Sequence, residues 1–299
     1  MLSPLSINQM KTLIVFIGFL LVFVVLQGCI DSMHTKPISS AALTDKFVTY
    51  STHVKDTFYI SVQLPLAYSK NSKQHFGVIY LTDANFYFPM LGPILHQYEK
   101  GGLLPPLILV GISYKSMESM NALRVRDYLY PEAIPSDEMK APGGGLNYYH
   151  FITRELLPKI DNHYRTQKAK SMLLGHSFGG YFSLFALQRQ LTEKRKDFSS
   201  FVSASPTLWY NQNYLFRLPR QLKTTPQLNK LNLYLSAGQL ETPIEWTIHP
   251  VQKLSKQLSA YHLPGLKLST VIYNHLDHMD AGLVSFLQGI EATHSAVNP

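Results

Sequence analysis

Between residues 47 and 66 apolar and polar positions alternate, most plainly along Phe58-Tyr59-Ile60-Ser61-Val62-Gln63-Leu64. A period of two predicts half-buried antiparallel strands at a sheet edge. Further along, the pattern changes to short, nearly continuous apolar runs: residues 77–81 (GVIYL), 107–111, 171–174, 201–203, 231–235 and 268–273. Runs of this length read as strands buried on both faces. Segments of helical character separate most of them, at 147–164, 181–191, 248–261 and 281–290. Strands alternating with helices predict an α/β protein with a mostly parallel central sheet covered by helices on both faces. Two stretches break the pattern. Residues 117–145 carry Pro131, Pro135, Pro142 and Gly143-Gly144-Gly145, which predicts an irregular segment over the sheet edge. Residues 210–227, rich in aromatic, basic and proline residues, predict a small cap insertion after the sixth core strand. There is no internal repeat and no low-complexity tract.

The beginning of the chain stands apart from this alternation. Residues 13–26 (LIVFIGFLLVFVVL) are apolar or glycine, with Lys11 before them and Gln27-Gly28-Cys29 after. Fourteen residues are short for a membrane span and suit the apolar core of a signal peptide. The Leu-x-Gly-Cys ending resembles the processing site of bacterial lipoproteins, which implies cleavage that leaves Cys29 as a diacylated N-terminus. Ile30, in place of aspartate, implies by the same resemblance sorting to the outer membrane of a Gram-negative cell. The alternative is an uncleaved anchor helix with an incidental thiol. Both readings put the folded part outside the cytoplasm. The expected organisation is a lipoprotein-type signal peptide over 1–28, a tether over 29–42 and a folded domain over 43–299.

Composition narrows the picture only in part. The chain has 299 residues, 45% hydrophobic and 15% charged, enough for one large domain. Cys29 is the only cysteine, so no internal disulfide framework exists. The formal net charge of +8 invites a nucleic-acid reading, but the basic residues are scattered. The densest run is Lys194-Arg195-Lys196, and no nucleic-acid-binding motif accompanies it.

Chemistry concentrates at Gly175-His176-Ser177-Phe178-Gly179-Gly180, a G-x-S-x-G between the apolar run at 172–174 and the helical segment that follows. A strand–turn–helix of this kind is a nucleophile elbow: the turn exposes the serine hydroxyl and leaves the next N–H unpaired at a helix N-terminus. Ser177 is thus the expected nucleophile and the Phe178 N–H one oxyanion donor. A serine hydrolase on this architecture needs an acid and then a histidine further along the chain. After the run at 231–235 the chain reads Ser236-Ala237-Gly238-Gln239-Leu240-Glu241, which makes Glu241 the expected acid. After 268–273 it reads Asn274-His275-Leu276-Asp277-His278. His278, at the start of the last helical segment, is the expected base, with His275 the alternative. The pair also forms an H-x-x-H, but no third ligand cluster has metal spacing. The second oxyanion donor is expected from the loop Thr82-Asp83-Ala84-Asn85-Phe86, at the N–H of Asn85 or else Ala84.

Several segments together resemble the esterase family of α/β-hydrolases that includes enterobactin-type siderophore esterases, S-formylglutathione hydrolases and mycolyltransferases. They are Tyr80-Leu81-Thr82-Asp83-Ala84-Asn85, Arg124-Val125-Arg126-Asp127-Tyr128, Glu155-Leu156-Leu157-Pro158-Lys159-Ile160 and Tyr164-Arg165-Thr166. The elbow, Ser205-Pro206-Thr207-Leu208-Trp209-Tyr210, Gly238-Gln239-Leu240-Glu241 and His278 complete the set. The resemblance covers residues 45–295 and implies an α/β-hydrolase fold and a serine esterase with a Ser177-His278-Glu241 triad and no cofactor. The siderophore-esterase branch is the most similar, because its members keep the arginine-rich stretch and often work in the periplasm. That implies substrate contacts at Arg124, Arg126 and Trp209, with a structural Arg126–Asp127 ion pair as the competing reading. The expected partners are a small-molecule ester and the membrane, through the lipid anchor. An acyltransferase on the same fold and a catalytically silent envelope binding protein remain the rival readings.

Overall fold

The computed structural model describes residues 43–70, 72–224 and 230–294. The expected signal peptide, Cys29 and the tether lie outside the described residues. The chain divides into two units, Met1–Ala42 and Leu43–Pro299, and the elements below belong to the second.

The eight strands are β1 (Thr44–Ser51), β2 (Asp56–Gln63), β3 (Phe76–Leu81), β4 (Leu107–Ser113), β5 (Thr166–His176), β6 (Ser200–Ala204), β7 (Leu231–Gly238) and β8 (Leu266–Tyr273). They form one sheet in the order β1-β2-β4-β3-β5-β6-β7-β8. Only β2 runs against the rest, antiparallel to both β1 and β4; the remaining neighbours pair in parallel. The two antiparallel strands are those whose sequence alternates, and the continuous apolar runs are the parallel ones. The physical reason is coverage: the central strands are apolar on both sides because helices lie on both. In β3, Val78 and Tyr80 enter one core while Ile79 and Leu81 enter the other, and in β5 Leu173 opposes Met172 and Leu174.

The first face is covered by α2 (Met117–Tyr128), α3 (Gly145–His150), α4 (Leu157–His163), α5 (Phe178–Thr192) and α8 (Ile248–Ala260). These helices contribute Tyr128, Tyr148, Ile160, Phe182 and Leu254 to that core. A π-helical turn at Phe151–Leu156 joins α3 to α4. On the second face lie α1 (Ala84–Lys100) and α9 (His278–His294), through Leu91, Leu95, Phe286 and Ile290. Between β6 and β7 the expected insertion folds as a short helical turn α6 (Tyr210–Asn213), a 3-10 turn (Tyr214–Arg217) and α7 (Leu218–Thr224). Tyr210, Leu215, Leu218 and Leu222 are buried, so the insertion is packed down, with α7 against α5 and α8.

Two expectations need correction. Residues 117–145 are irregular only in their second half. Met117–Tyr128 form α2, whose N-terminus is capped by the Ser116 hydroxyl accepting the Ser119 N–H at 3.1 Å. That helix packs against α3 and α5 instead of lying over the sheet edge. The loop expected at 82–86 gives way at Ala84 to α1, a 17-residue helix that tolerates Pro89 and Pro93 inside it. Burial of Tyr87, Leu91 and Leu95 offsets the lost backbone bonds, the usual way tertiary packing overrides propensity.

Candidate active site

The carboxyl ends of the parallel strands converge on one edge of the sheet, where open α/β sheets bind ligands. β5 ends in His176, and Ser177 turns the chain into α5 with φ 61° and ψ −119°. That conformation is strained for a residue with a Cβ and typically costs about 1–3 kcal/mol. It is held by the Ser177 N–H on the Ala204 carbonyl (2.9 Å) and by the Tyr181 N–H on the Ser177 carbonyl (2.9 Å). Gly175 is required because a Cβ there would run into the Gly179 carbonyl; the first turn of α5 lies that close over the strand. Phe178 is the first residue of α5, so its N–H has no intrahelical acceptor and sits at the positive end of the helix dipole.

Glu241 and His278 meet. The Nδ1–H of His278 donates to Glu241 Oε2 at 2.8 Å, with the glutamate side chain 2% exposed and the histidine 41%. The other carboxylate oxygen, Oε1, accepts the Ser205 hydroxyl at 2.5 Å and the Gly238 N–H at 2.6 Å. Burial pushes the Glu241 carboxyl up, but the hydrogen bonds from His278, Ser205 and Gly238 outweigh it and hold it below the usual range. A histidine whose Nδ1–H is fixed by a charged carboxylate keeps a bare Nε2, the form a general base needs. His275 lies three residues earlier, exposed, at φ 62°, and has no part in this pair. Among the described residues, no group of three or more His, Cys, Asp or Glu side chains could hold a metal ion.

Opposite the elbow stands the β3–α1 junction. Asp83 caps α1 in a left-handed conformation, φ 50° and ψ 38°, and Ala84 and Asn85 form the first turn, whose N–H groups lack intrahelical acceptors. The junction abuts the elbow: a Cβ on Gly179 would lie 2.6 Å from Thr82 Oγ1 and 3.0 Å from Asp83 Oδ2. Asn85 anchors it, donating from Nδ2 to the Tyr114 carbonyl (2.9 Å) and accepting the Tyr114 N–H at Oδ1 (2.8 Å). These contacts leave its backbone N–H for another acceptor.

The two arginines are both engaged by carboxylates. Arg124 grips Asp83 with Nε on Oδ1 (2.9 Å) and Nη2 on Oδ2 (2.8 Å), and Nη2 also reaches the His176 carbonyl at 3.2 Å. It therefore ties the β3–α1 junction to the elbow while lying over the Phe178 ring, 5.2 Å from its centroid. Arg126 is held by Asp127 (2.7 and 3.0 Å) and Asp56 (2.8 Å), the ion-pair geometry raised as the competing reading. Trp209 stands half-buried, its ring centroid 5.7 Å from that of Trp246. Leu240, Ile244, Trp246 and Met279 are exposed, and they flank Glu241 and His278 in sequence. Four participants escaped the sequence: Ser205, Asp83, His176 and Trp246. Asp83, His176 and Ser205 lie in segments that carry the family resemblance, but the pattern assigns none of them a role; Trp246 lies outside those segments.

Comparison with known proteins identifies the family. The model of the Esterase family, described as "Putative esterase", matches residues 51–278. The ferri-bacillibactin esterase BesA of Bacillus subtilis is 32% identical over 179 residues, 56% of this chain and 60% of that protein. The siderophore enterobactin esterase of Emericella nidulans is 26% identical over 179 residues, 55% of this chain and 58% of that protein. The chain thus spans about 60% of the length of the curated relatives it matches. The solved structure of the BES protein from Bacillus cereus superposes with a TM-score of 0.72 at 22% identity, covering 85% of this chain and 96% of that one. With its sheet order, its strand–turn–helix at Ser177 and a family match over most of its length, the chain belongs to the Esterase family and has the α/β-hydrolase fold.

Proposed function

We propose that this protein hydrolyses carboxylic esters of siderophore type through an acyl-enzyme on Ser177. The observation that carries the reading is the 2.8 Å bond between His278 Nδ1, at the start of α9, and the buried Glu241. The two residues lie in the segments that follow β8 and β7, at the strand ends where β5 delivers the strained Ser177. In this mechanism His278 Nε2 takes the hydroxyl proton as Ser177 Oγ attacks the ester carbon. The oxygen that becomes negative accepts the N–H groups of Phe178 and Asn85, and each such donor is typically worth about 3 kcal/mol of barrier. His278 then returns the proton to the leaving alcohol, and Glu241 stabilises the imidazolium in between. Water repeats the sequence to release the acid. Arg124 acts from behind, holding Asp83 and hence the oxyanion loop against the elbow. The exposed Leu240, Ile244, Trp246 and Met279, with Trp209, form an apolar rim that receives the bulky part of the ester. The names of the two curated relatives support a siderophore as that ester. The apolar segment before Cys29 supports a site of action in the cell envelope, on a lipid anchor; fractionating a Cys29→Ser variant tests that part.

The test of the chemistry uses the folded protein with enterobactin, bacillibactin and short p-nitrophenyl esters, alongside a fluorophosphonate probe and a Ser177→Ala variant. The expected result is turnover and labelling that both fall by about 10⁴-fold or more in the variant. Turnover that survives Ser177→Ala overturns the reading. Labelling with turnover only in the presence of an added alcohol replaces hydrolysis by acyl transfer.

A further inference from the structure

His176 is the variable letter of the elbow, and nothing in a G-x-S-x-G pattern assigns it a task. In the structure it is 3% exposed and bonded at both ring nitrogens. Nε2 lies 2.7 Å from the backbone carbonyl of His278, and Nδ1 lies 2.9 Å from the Tyr87 hydroxyl. A carbonyl only accepts, so Nε2 carries the proton. Nδ1 is then bare and accepts the Tyr87 O–H. One tautomer satisfies both ends, and burial, which pushes the Tyr87 phenol pKa up, keeps that donor protonated. The ring also packs on the His278 ring, with centroids 4.5 Å apart.

A second observation points the same way. Gly282, one turn into α9, sits where a Cβ would collide with the Tyr87 hydroxyl and lie 3.2 Å from His176 Cγ. The first turn of α9, which carries His278, is therefore docked directly on the His176–Tyr87 pair. Three segments otherwise distant in sequence meet here: the elbow, the helix that begins at the oxyanion loop, and the helix that begins at His278.

We propose that His176 is a positioning residue for His278: a neutral Nε2–H donor, set by Tyr87, that pins the His278 backbone so its ring stays on Glu241 and faces Ser177. The inference rests on the reading of Ser177 and His278 given above. Its neutrality is part of the function. When His278 takes the serine proton it becomes a cation, and a second cation at 4.5 Å would oppose that step. Burial first, then the positive charge of His278 and Arg124, brings the His176 pKa down to about 3. The charged groups around it, Arg124 on its carbonyl and Glu241 beyond His278, are fixed by the bonds already described.

The experiment compares His176→Phe, His176→Gln, Tyr87→Phe and Ser177→Ala with the wild type. It measures thermal unfolding, kcat and KM on p-nitrophenyl butyrate, and the rate of fluorophosphonate labelling. A displaced base of the order of 1 Å costs about 10²-fold, so folded His176→Phe is expected to lose about 30- to 100-fold in kcat and labelling rate, with KM within about twofold. His176→Gln, which places an amide N–H near the Nε2 position, is expected to recover most of that loss. Tyr87→Phe, which frees the tautomer, is expected to lose less than His176→Phe, about three- to tenfold by the same reasoning. Wild-type kcat in folded His176→Phe overturns the proposal, as does a change in KM alone or a Gln variant no better than Phe. Should His176→Phe fail to fold, Tyr87→Phe decides: an unchanged kcat overturns the proposal and a reduced kcat with unchanged KM supports it. Turnover in Ser177→Ala is a separate result, which removes the serine mechanism itself whatever the His176 variants do.

Discussion

At the scale of single residues the site is organised around one buried carboxylate. Glu241 accepts three hydrogen bonds, and of its donors only the Ser205 hydroxyl can be deleted without touching the backbone or the base. Ser205 sits at φ 43° at the end of β6, its N–H on the Ser236 carbonyl at 2.8 Å. A hydrogen bond to a charged group is worth about 1.5–3 kcal/mol. Ser205→Ala should therefore lower kcat by about tenfold or more with KM unchanged, read in steady-state kinetics on a p-nitrophenyl ester. An unchanged kcat would mean that Gly238 and His278 alone keep Glu241 oriented. Ser177, Glu241 and His278 were legible because each follows an apolar strand in the chain order a hydrolase needs, and the glycines around Ser177 spell out a backbone requirement. Ser205 and His176 were not, because their partners lie 36 and 89 residues away. Both stand in segments that carry the resemblance, but a local motif holds no trace of so distant a partner.

At the scale of elements the informative case is α2. The prolines and glycines at 131–145 suggested irregular chain throughout, and they masked a twelve-residue helix with weak amphipathicity. It is held by what it reaches: Arg124 extends from α2 to the cap of α1 and to the end of β5, and the Tyr128 hydroxyl accepts the Asp83 N–H at 3.1 Å. Proline punctuates sequence more loudly than a single capping serine does, and long-range ion pairs leave no periodic signal. The Arg124–Asp83 pair is nearly dry, with side-chain exposures of 16% and 4%. Removing one member leaves a buried charge alone, which typically costs about 3–5 kcal/mol. Arg124→Met should destabilise the protein by about that amount in urea unfolding and depress kcat as the oxyanion loop loosens. The double variant Asp83→Asn, Arg124→Met should regain much of the stability, since an amide tolerates burial better than an unpaired carboxylate. A double variant no more stable than Arg124→Met would show that the arginine acts through packing on Phe178 and Tyr128.

At the scale of the whole molecule, the same burial that builds the site makes the fold sensitive to acid. His176 has its pKa lowered to about 3. His294, at the far end of α9, has its pKa lowered from 6.5 to about 4 by burial and then by Lys170. Each takes up a proton in the unfolded chain below pH 6.5 but not in the folded one until its lowered value is reached. The unfolded state thus binds more protons across that window, and stability falls as pH falls, by up to about 1.4 kcal/mol per pH unit per site. Glu193 adds a second, lower window. Burial raises its pKa, but hydrogen bonds from His150, Arg189 and Arg154 prevail and bring it from 4.5 to about 2. A depressed carboxylate stabilises the fold above its ordinary pKa and loses that contribution as pH drops toward 2. The melting temperature should accordingly fall steadily below about pH 6 and more steeply below about pH 4.5. His294→Gln isolates the upper window, because it removes one titrating group remote from Ser177. Its melting temperature should decline less between pH 6.5 and pH 4 than that of the wild type, with kcat at neutral pH unaltered. A variant whose melting temperature tracks the wild type over that range would show that His294 titrates freely in the folded state, leaving His176 to account for the slope.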